Sequence, residues 1–167
     1  LLVQACDMFE VAKLEKGFVS TYKEAFAADP IITEDIVARV EEGIESAEIE
    51  ALVNEEHAEG LYLDGKLVGC VKRAHDIDVN LSAHFMHENL MSKASSVLAL
   101  LYAVRNAEID KNDIEYVIDC AEEACGDMNQ RGGGNFAKAA AEIAMLNNAT
   151  GSDSRGFCAG PSHALIE

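Results

Sequence analysis

The run Gly156-Phe157-Cys158-Ala159-Gly160-Pro161 forces the chain to change direction. The segment before it, Asn148 to Arg155, is short, polar and contains Gly151, which suits a strand end or a tight approach. Pro161 lacks a backbone N–H, and in a first helical turn none is needed. Ala164, Leu165 and Ile166 then begin an apolar helical face. The spacing Gly-x-Cys-x-Gly is a cysteine form of the strand-to-helix nucleophile elbow. Cys158 is therefore expected on a sharp turn, at or beside a helix N-terminus.

Two consequences follow. Unpaired amides and the positive end of a helix dipole stabilise a thiolate. The same amides, at Gly156, Ala159 and Gly160, can meet an oxyanion on an acyl carbonyl. The flanking glycines remove Cβ atoms, so the turn can be strained and a substrate can come close. The bland alternative is a buried structural cysteine, because free cysteine is among the most buried residue types.

Composition narrows the function classes. With 30 acidic and 13 basic residues the net charge is −17, so a nucleic-acid backbone would be repelled. Apolar content is 49%, and no apolar run approaches the length of a membrane span. The five cysteines, Cys6, Cys70, Cys120, Cys125 and Cys158, are odd in number and show no Cys-x-x-Cys pair. That favours reduced thiols and a cytoplasmic location over a disulfide framework. The chain starts on Leu1 without a signal pattern and stops inside the helix that Cys158 should open, which reads as a segment of a larger protein.

Residues 1–58 read as helical throughout. Leu1, Ala5, Met8, Phe9 and Ala12 share one face at helical spacing, and Gly17 is a candidate stop. Val19, Tyr22 and Phe26 continue the period to Asp29-Pro30, a breaker. Thr33 and Ser46 are placed to cap two further helices, the first ending at Gly43. His57 reads as a surface residue near a helix end. Residues 59–80 read as a hairpin and linker, with Asp64-Gly65 as a type I′ turn and Cys70 as a small core residue on the second strand.

From Leu81 to Asn106 a broad apolar stripe predicts a long helix: Phe85, Leu90 or Met91, Ala94, Val97, Leu98, Leu101 and Val104. His84 and His87 lie one turn apart beside Glu88. No third and fourth ligand accompanies them, so no metal is expected. Asp113 to Cys120 reads as a strand with a buried apolar centre. Helix, short turn and strand make half of a βαβ crossover.

The loop that follows holds Cys125, Arg131, Gly132, Gly133, Gly134 and Asn135, and loops at strand ends of α/β folds build sites. The glycines either cradle an anion before the next helix or make a tight turn. They fit no nucleotide fingerprint, and no cofactor is expected. Cys125 is either a second reactive thiol or a loop residue. Asn135 can cap an Ala-rich helix from Phe136 to Leu146, ended by Asn147-Asn148.

From about Ser82 onward the order of elements resembles the first half of the thiolase-like, ketoacyl synthase III-like architecture. More specific are three runs: Tyr62 to Asp78, Cys125 to Lys138 and Asn148 to Pro161. They resemble the β-subunit family of protein C in glycine/sarcosine/betaine reductase complexes, along the whole chain. The resemblance implies an α/β fold: an incomplete thiolase-like half-domain at 81–167, preceded by the helical segment and the hairpin. It places this segment in the N-terminal part of a longer subunit. It implies acetyl transfer, with Cys158 taking the group from the carboxymethyl-selenocysteine carrier protein A as a thioester and releasing it to phosphate as acetyl phosphate. It implies as partners the α subunit of protein C and protein A, and a homodimer or larger assembly. The His and Asn or second His of condensing enzymes belong to the half that this segment does not reach, and His163 is not expected to replace them. Two alternatives stand beside this reading: a ketoacyl synthase III-like condensing enzyme, and a non-catalytic assembly subunit.

Overall fold

A computed structural model of the chain describes residues 1–121 and 136–166. It is mixed α/β and divides into two compact units, Leu1–Met91 and Ser92–Glu167.

The first unit opens with α1 (Leu2–Ala5), β1 (Ala12–Leu14) and α2 (Lys16–Ala28). The strand corrects the expectation of continuous helix. The Asp7 carboxylate accepts from Phe9 N at 2.9 Å and from Ala12 N at 2.7 Å, so it competes with helix for those amides. Glu10 takes φ 57°, and Met8 and Phe9 are exposed rather than sharing a buried face. Gly17 lies in the first turn of α2 instead of stopping a helix. The Glu15 carboxylate caps that turn by accepting from Gly17 N at 2.9 Å and Phe18 N at 2.6 Å. Those bonds hold its pKa below the ordinary carboxylate value. Pro30 follows the C-cap Asp29, as its ring requires.

Thr33 caps α3 (Glu34–Ala38), which ends short of Gly43. Ser46 opens α4 (Ser46–Glu55) as a helical residue, and its hydroxyl donates to Glu15 Oε1 at 3.1 Å instead of capping. His57 is exposed at φ 57° just past that helix.

Next come β2 (Glu59–Leu63) and β3 (Lys66–Val71), joined by Asp64 at φ 50° and Gly65 at φ 76°. Positive φ at both central residues is the type I′ requirement. The sheet order is β1-β3-β2, antiparallel throughout. The non-local strand β1 reaches β3 because Gly69 carries no side chain: a Cβ there would lie 2.5 Å from Lys13 O. Successive residues of β3 face opposite ways. Val71 packs with Val11, Ala12, Met86 and Leu90, and Cys70 packs with Ile49 and Ala58. Helix α5 (Ala83–Ala107) supplies Met86 and Leu90. It buries Leu90 rather than Met91, and leaves Leu98 40% exposed, which narrows the expected stripe.

The second unit carries the rest of α5, then β4 (Tyr116–Ala121), α6 (Phe136–Ile143), β5 (Thr150–Arg155) and α7 (Gly160–Ala164). Strands β4 and β5 pair in parallel, Tyr116 against Thr150 through Ala121 against Arg155. The helix α6 packs on both, which completes a β-α-β arrangement. Its buried face is Phe136, Ala137, Ala140, Ala141 and Ile143. Small residues let it approach closely: a Cβ on Gly151 would meet Ala137 Cβ at 3.0 Å and Val117 O at 2.4 Å. Val117 and Ile118 are half-buried among the described residues, less enclosed than the strand's apolar centre implied.

The cap assigned to Asn135 lies outside the described residues. The first amides of α6 are met from elsewhere: Asp153 of β5 accepts from Phe136 N and Ala137 N, both at 2.9 Å. Met145, at φ 60°, closes the helix before Asn147-Asn148, with Leu146 N donating to Ala141 O at 2.9 Å.

Candidate functional site

Strand β5 ends at Arg155, and Gly156 leads into a 3-10 turn over Phe157–Ala159. α7 starts at Gly160, with Pro161 in its first turn. The strand, the cysteine-bearing turn and the Pro-started helix thus follow in the order that the motif implies. Ala159 N donates to Gly156 O at 3.0 Å and closes the turn around Cys158. Cys158 is exposed, while Gly160 beside it is buried.

The turn differs from a strained elbow in one respect. Among the described residues, positive φ occurs at Glu10, His57, Asp64, Glu108 and Met145 and at two glycines, Gly43 and Gly65. Neither Gly156 nor Cys158 is among them. Gly156 is needed for space instead. A Cβ there would lie 2.9 Å from His163 Nδ1, 3.1 Å from Gly160 N and 3.3 Å from Gly160 Cα. His163 of α7 therefore lies against the residue that opens the cysteine turn.

The other thiols sit in contrasting places. Cys6 and Cys70 are fully buried and Cys120, on β4, is exposed; none of these, nor Cys158, forms a disulfide. Burial pushes the Cys70 thiol up to about 11, against the pull of Lys72 and Lys13. A thiol so placed is neutral at physiological pH and inert as a nucleophile. The candidate loop residues Cys125, Arg131, Gly132, Gly133, Gly134 and Asn135 lie outside the described residues.

His84 Nδ1 lies 3.6 Å from Glu59 and its Nε2 3.5 Å from Glu88. Among the described residues no group of three or more His, Cys, Asp or Glu side chains is placed to hold a metal ion. No helix among them is long and apolar enough to cross a membrane.

The chain is 56% identical over 165 residues to a protein of Peptoclostridium acidaminophilum, the glycine/sarcosine/betaine reductase complex component C subunit beta. The match covers 99% of the chain and 32% of that relative, so the chain spans about a third of its length. The resemblance read from the three motif runs is shown at that level. No protein-family model and no solved structure matches the chain.

Proposed function

We propose that the chain is part of a component C β-type subunit of a glycine/sarcosine/betaine reductase complex, and that Cys158 carries an acetyl group as a thioester. The observation that carries the reading is the exposure of Cys158 on a tight turn between a parallel strand and a Pro-started helix. A covalent acyl carrier must be reachable by two large partners in turn, and an exposed turn at a strand end is reachable.

In this mechanism the Cys158 thiolate adds to the acyl carbon. The resulting oxyanion is met by backbone amides. One carboxyl oxygen leaves as water. A second thiol supplied by the carrier attacks selenium, so that the C–Se bond breaks and a selenenyl sulfide forms. The methylene carbon takes a proton, which leaves an acetyl thioester on Cys158. Phosphate oxygen then attacks the same carbon. The C–S bond breaks, sulfur leaves as thiolate, and acetyl phosphate departs. Ala159 N is engaged with Gly156 O. The oxyanion role is therefore proposed for the amides of Gly156 and Gly160, with Ala159 joining only if that bond opens. Cys125, Arg131, Gly132, Gly133, Gly134 and Asn135 are proposed as further residues of the site.

The same reading makes residues 81–167 the first part of a thiolase-like domain, 1–58 a mainly helical extension and 59–80 the connecting hairpin and linker. It gives the protein an α subunit and the protein A carrier as partners in the cytoplasm, with pairing of β subunits.

The test is alkylation by iodoacetamide of the full-length protein near neutral pH, followed by mass spectrometry. Cys158 is expected to label ahead of Cys120, the other exposed thiol among the described residues. Labelling of Cys158 no faster than Cys120 removes the activated-nucleophile reading. Undiminished acetyl phosphate formation by a complex holding Cys158→Ala transfers the subunit to a purely assembling role.

A further inference from the structure

We infer that His163 is a positioning residue for Cys158: its imidazole, laid over Gly156, holds the turn that aims the thiol. This rests on the reading of Cys158 as acyl acceptor and adds a residue that the reading does not assign.

Three observations meet here. First, Gly156 is the pivot of the turn, since its carbonyl accepts the Ala159 amide at 3.0 Å. Second, its φ is not in the left-handed region, so the backbone does not demand glycine at this position. Third, the place where a Cβ would stand is crowded, with His163 Nδ1 at 2.9 Å as its nearest neighbour. The glycine is thus explained by what lies against it: one imidazole edge and the start of α7.

The direction of the side chain follows from helix geometry. Helical side chains lean towards the N-terminus, so each covers the turn before its own Cα. His163 is carried in the last turn of α7, and the turn before it is the Cys158 turn. An exposed histidine gains little by folding back on backbone unless the backbone makes room, and Gly156 does. The ring therefore bridges the two ends of the segment that holds Cys158: the residue that enters the turn and the helix that leaves it. Cys158 itself is carried on the short 3-10 turn. In thioester chemistry a displacement of about 1 Å is worth up to about a hundredfold in rate, so a clamp on the turn has kinetic consequences even without touching the acyl group.

The experiment uses the full-length protein in a reconstituted reductase complex, with acetyl phosphate formation and the Cys158-to-Cys120 alkylation ratio as readouts. Thermal midpoints identify any variant that fails to fold. His163→Ala is expected to lower acetyl phosphate formation by about ten- to a hundredfold and to change the alkylation ratio, with Cys120 labelling unchanged. His163→Asn places a polar atom near the Nδ1 position and is expected to restore most of both. Gly156→Ala, which drives the ring out, should reproduce the loss. The double variant Gly156→Ala/His163→Ala should lose no more than Gly156→Ala alone, because both changes remove the same contact and the crowding of Gly160 is already part of the Gly156→Ala loss.

Wild-type behaviour of His163→Ala in both readouts overturns the inference, as does a double variant whose losses multiply. A loss that Asn fails to restore, together with a missing limb in the pH–rate profile, also overturns it, because it makes His163 a proton carrier instead. If Cys158→Ala still supports acetyl phosphate formation, the parent reading has failed. If Cys158→Ala is dead and His163→Ala is normal, only this inference has.

Discussion

Cys70 and Cys158 are the same functional group following close on a glycine, and the chain treats them oppositely. Cys70 rides on β3 in the middle of the three-stranded sheet and is buried against Ile49 and Ala58. Its thiol is raised to about 11 because burial penalises the charged form. Cys158 rides on a turn at the end of β5 and is exposed. The glycines differ in the same sense. Gly69 lets another strand come close, 2.5 Å from its absent Cβ to Lys13 O, whereas Gly156 lets a side chain come close. A cysteine's chemistry is set less by its neighbours in the sequence than by whether its element is interior or terminal in a sheet.

The largest expected effect concerns the two thiols directly. Cys158→Ala should lower acetyl phosphate formation of the full complex by about a thousandfold or more, as loss of a nucleophile does. Cys70→Ala should leave the chemistry intact and destabilise the fold by about 1 kcal/mol, a small core deletion. Coupled turnover assays and chemical denaturation separate the two. Equal catalytic losses would erase the contrast.

The glycines come next. Gly69→Ala must displace the backbone of β1, and is expected to destabilise the protein by about 1–3 kcal/mol. Gly156→Ala meets a side chain that can swing aside, although Gly160 N at 3.1 Å also crowds it. It should be milder in stability and heavier in Cys158 reactivity. Denaturation midpoints beside alkylation ratios would show whether the order reverses.

A further effect is confined to alkaline pH. The Cys70 thiol is raised in the folded state, so the native protein retains a proton that the unfolded chain releases. That contribution to stability is whole below about pH 9 and is lost as pH rises towards about 11, by about 2–3 kcal/mol. Comparing the wild type with Cys70→Ala across this range isolates the effect. A pH-independent difference between them would place the Cys70 thiolate in a more polar setting than the packing around it.

Local signals were legible where one residue's dihedral or one period decides the outcome. Asp64-Gly65 specified a type I′ turn, and both residues adopt positive φ. The Pro30 boundary, the long α5 and the strand, turn and helix around Cys158 follow from the same kind of rule. What the sequence concealed was decided by partners distant along the chain. The helical period over Leu1 to Ala12 lost to the Asp7 side chain and to the edge of β3. The amides at the start of α6 took an Asp153 carboxylate from the neighbouring strand.

Backbone preference and hydrophobic period act over a few residues, and the order of the chain was enough to place a cysteine between a strand and a helix. Burial, close approach and the company of a side chain depend on which segments the fold brings together. The sequence already set Cys70 on a strand and Cys158 on a turn, but only the assembled structure buried Cys70 against Ile49 and Ala58 and set His163 against Gly156.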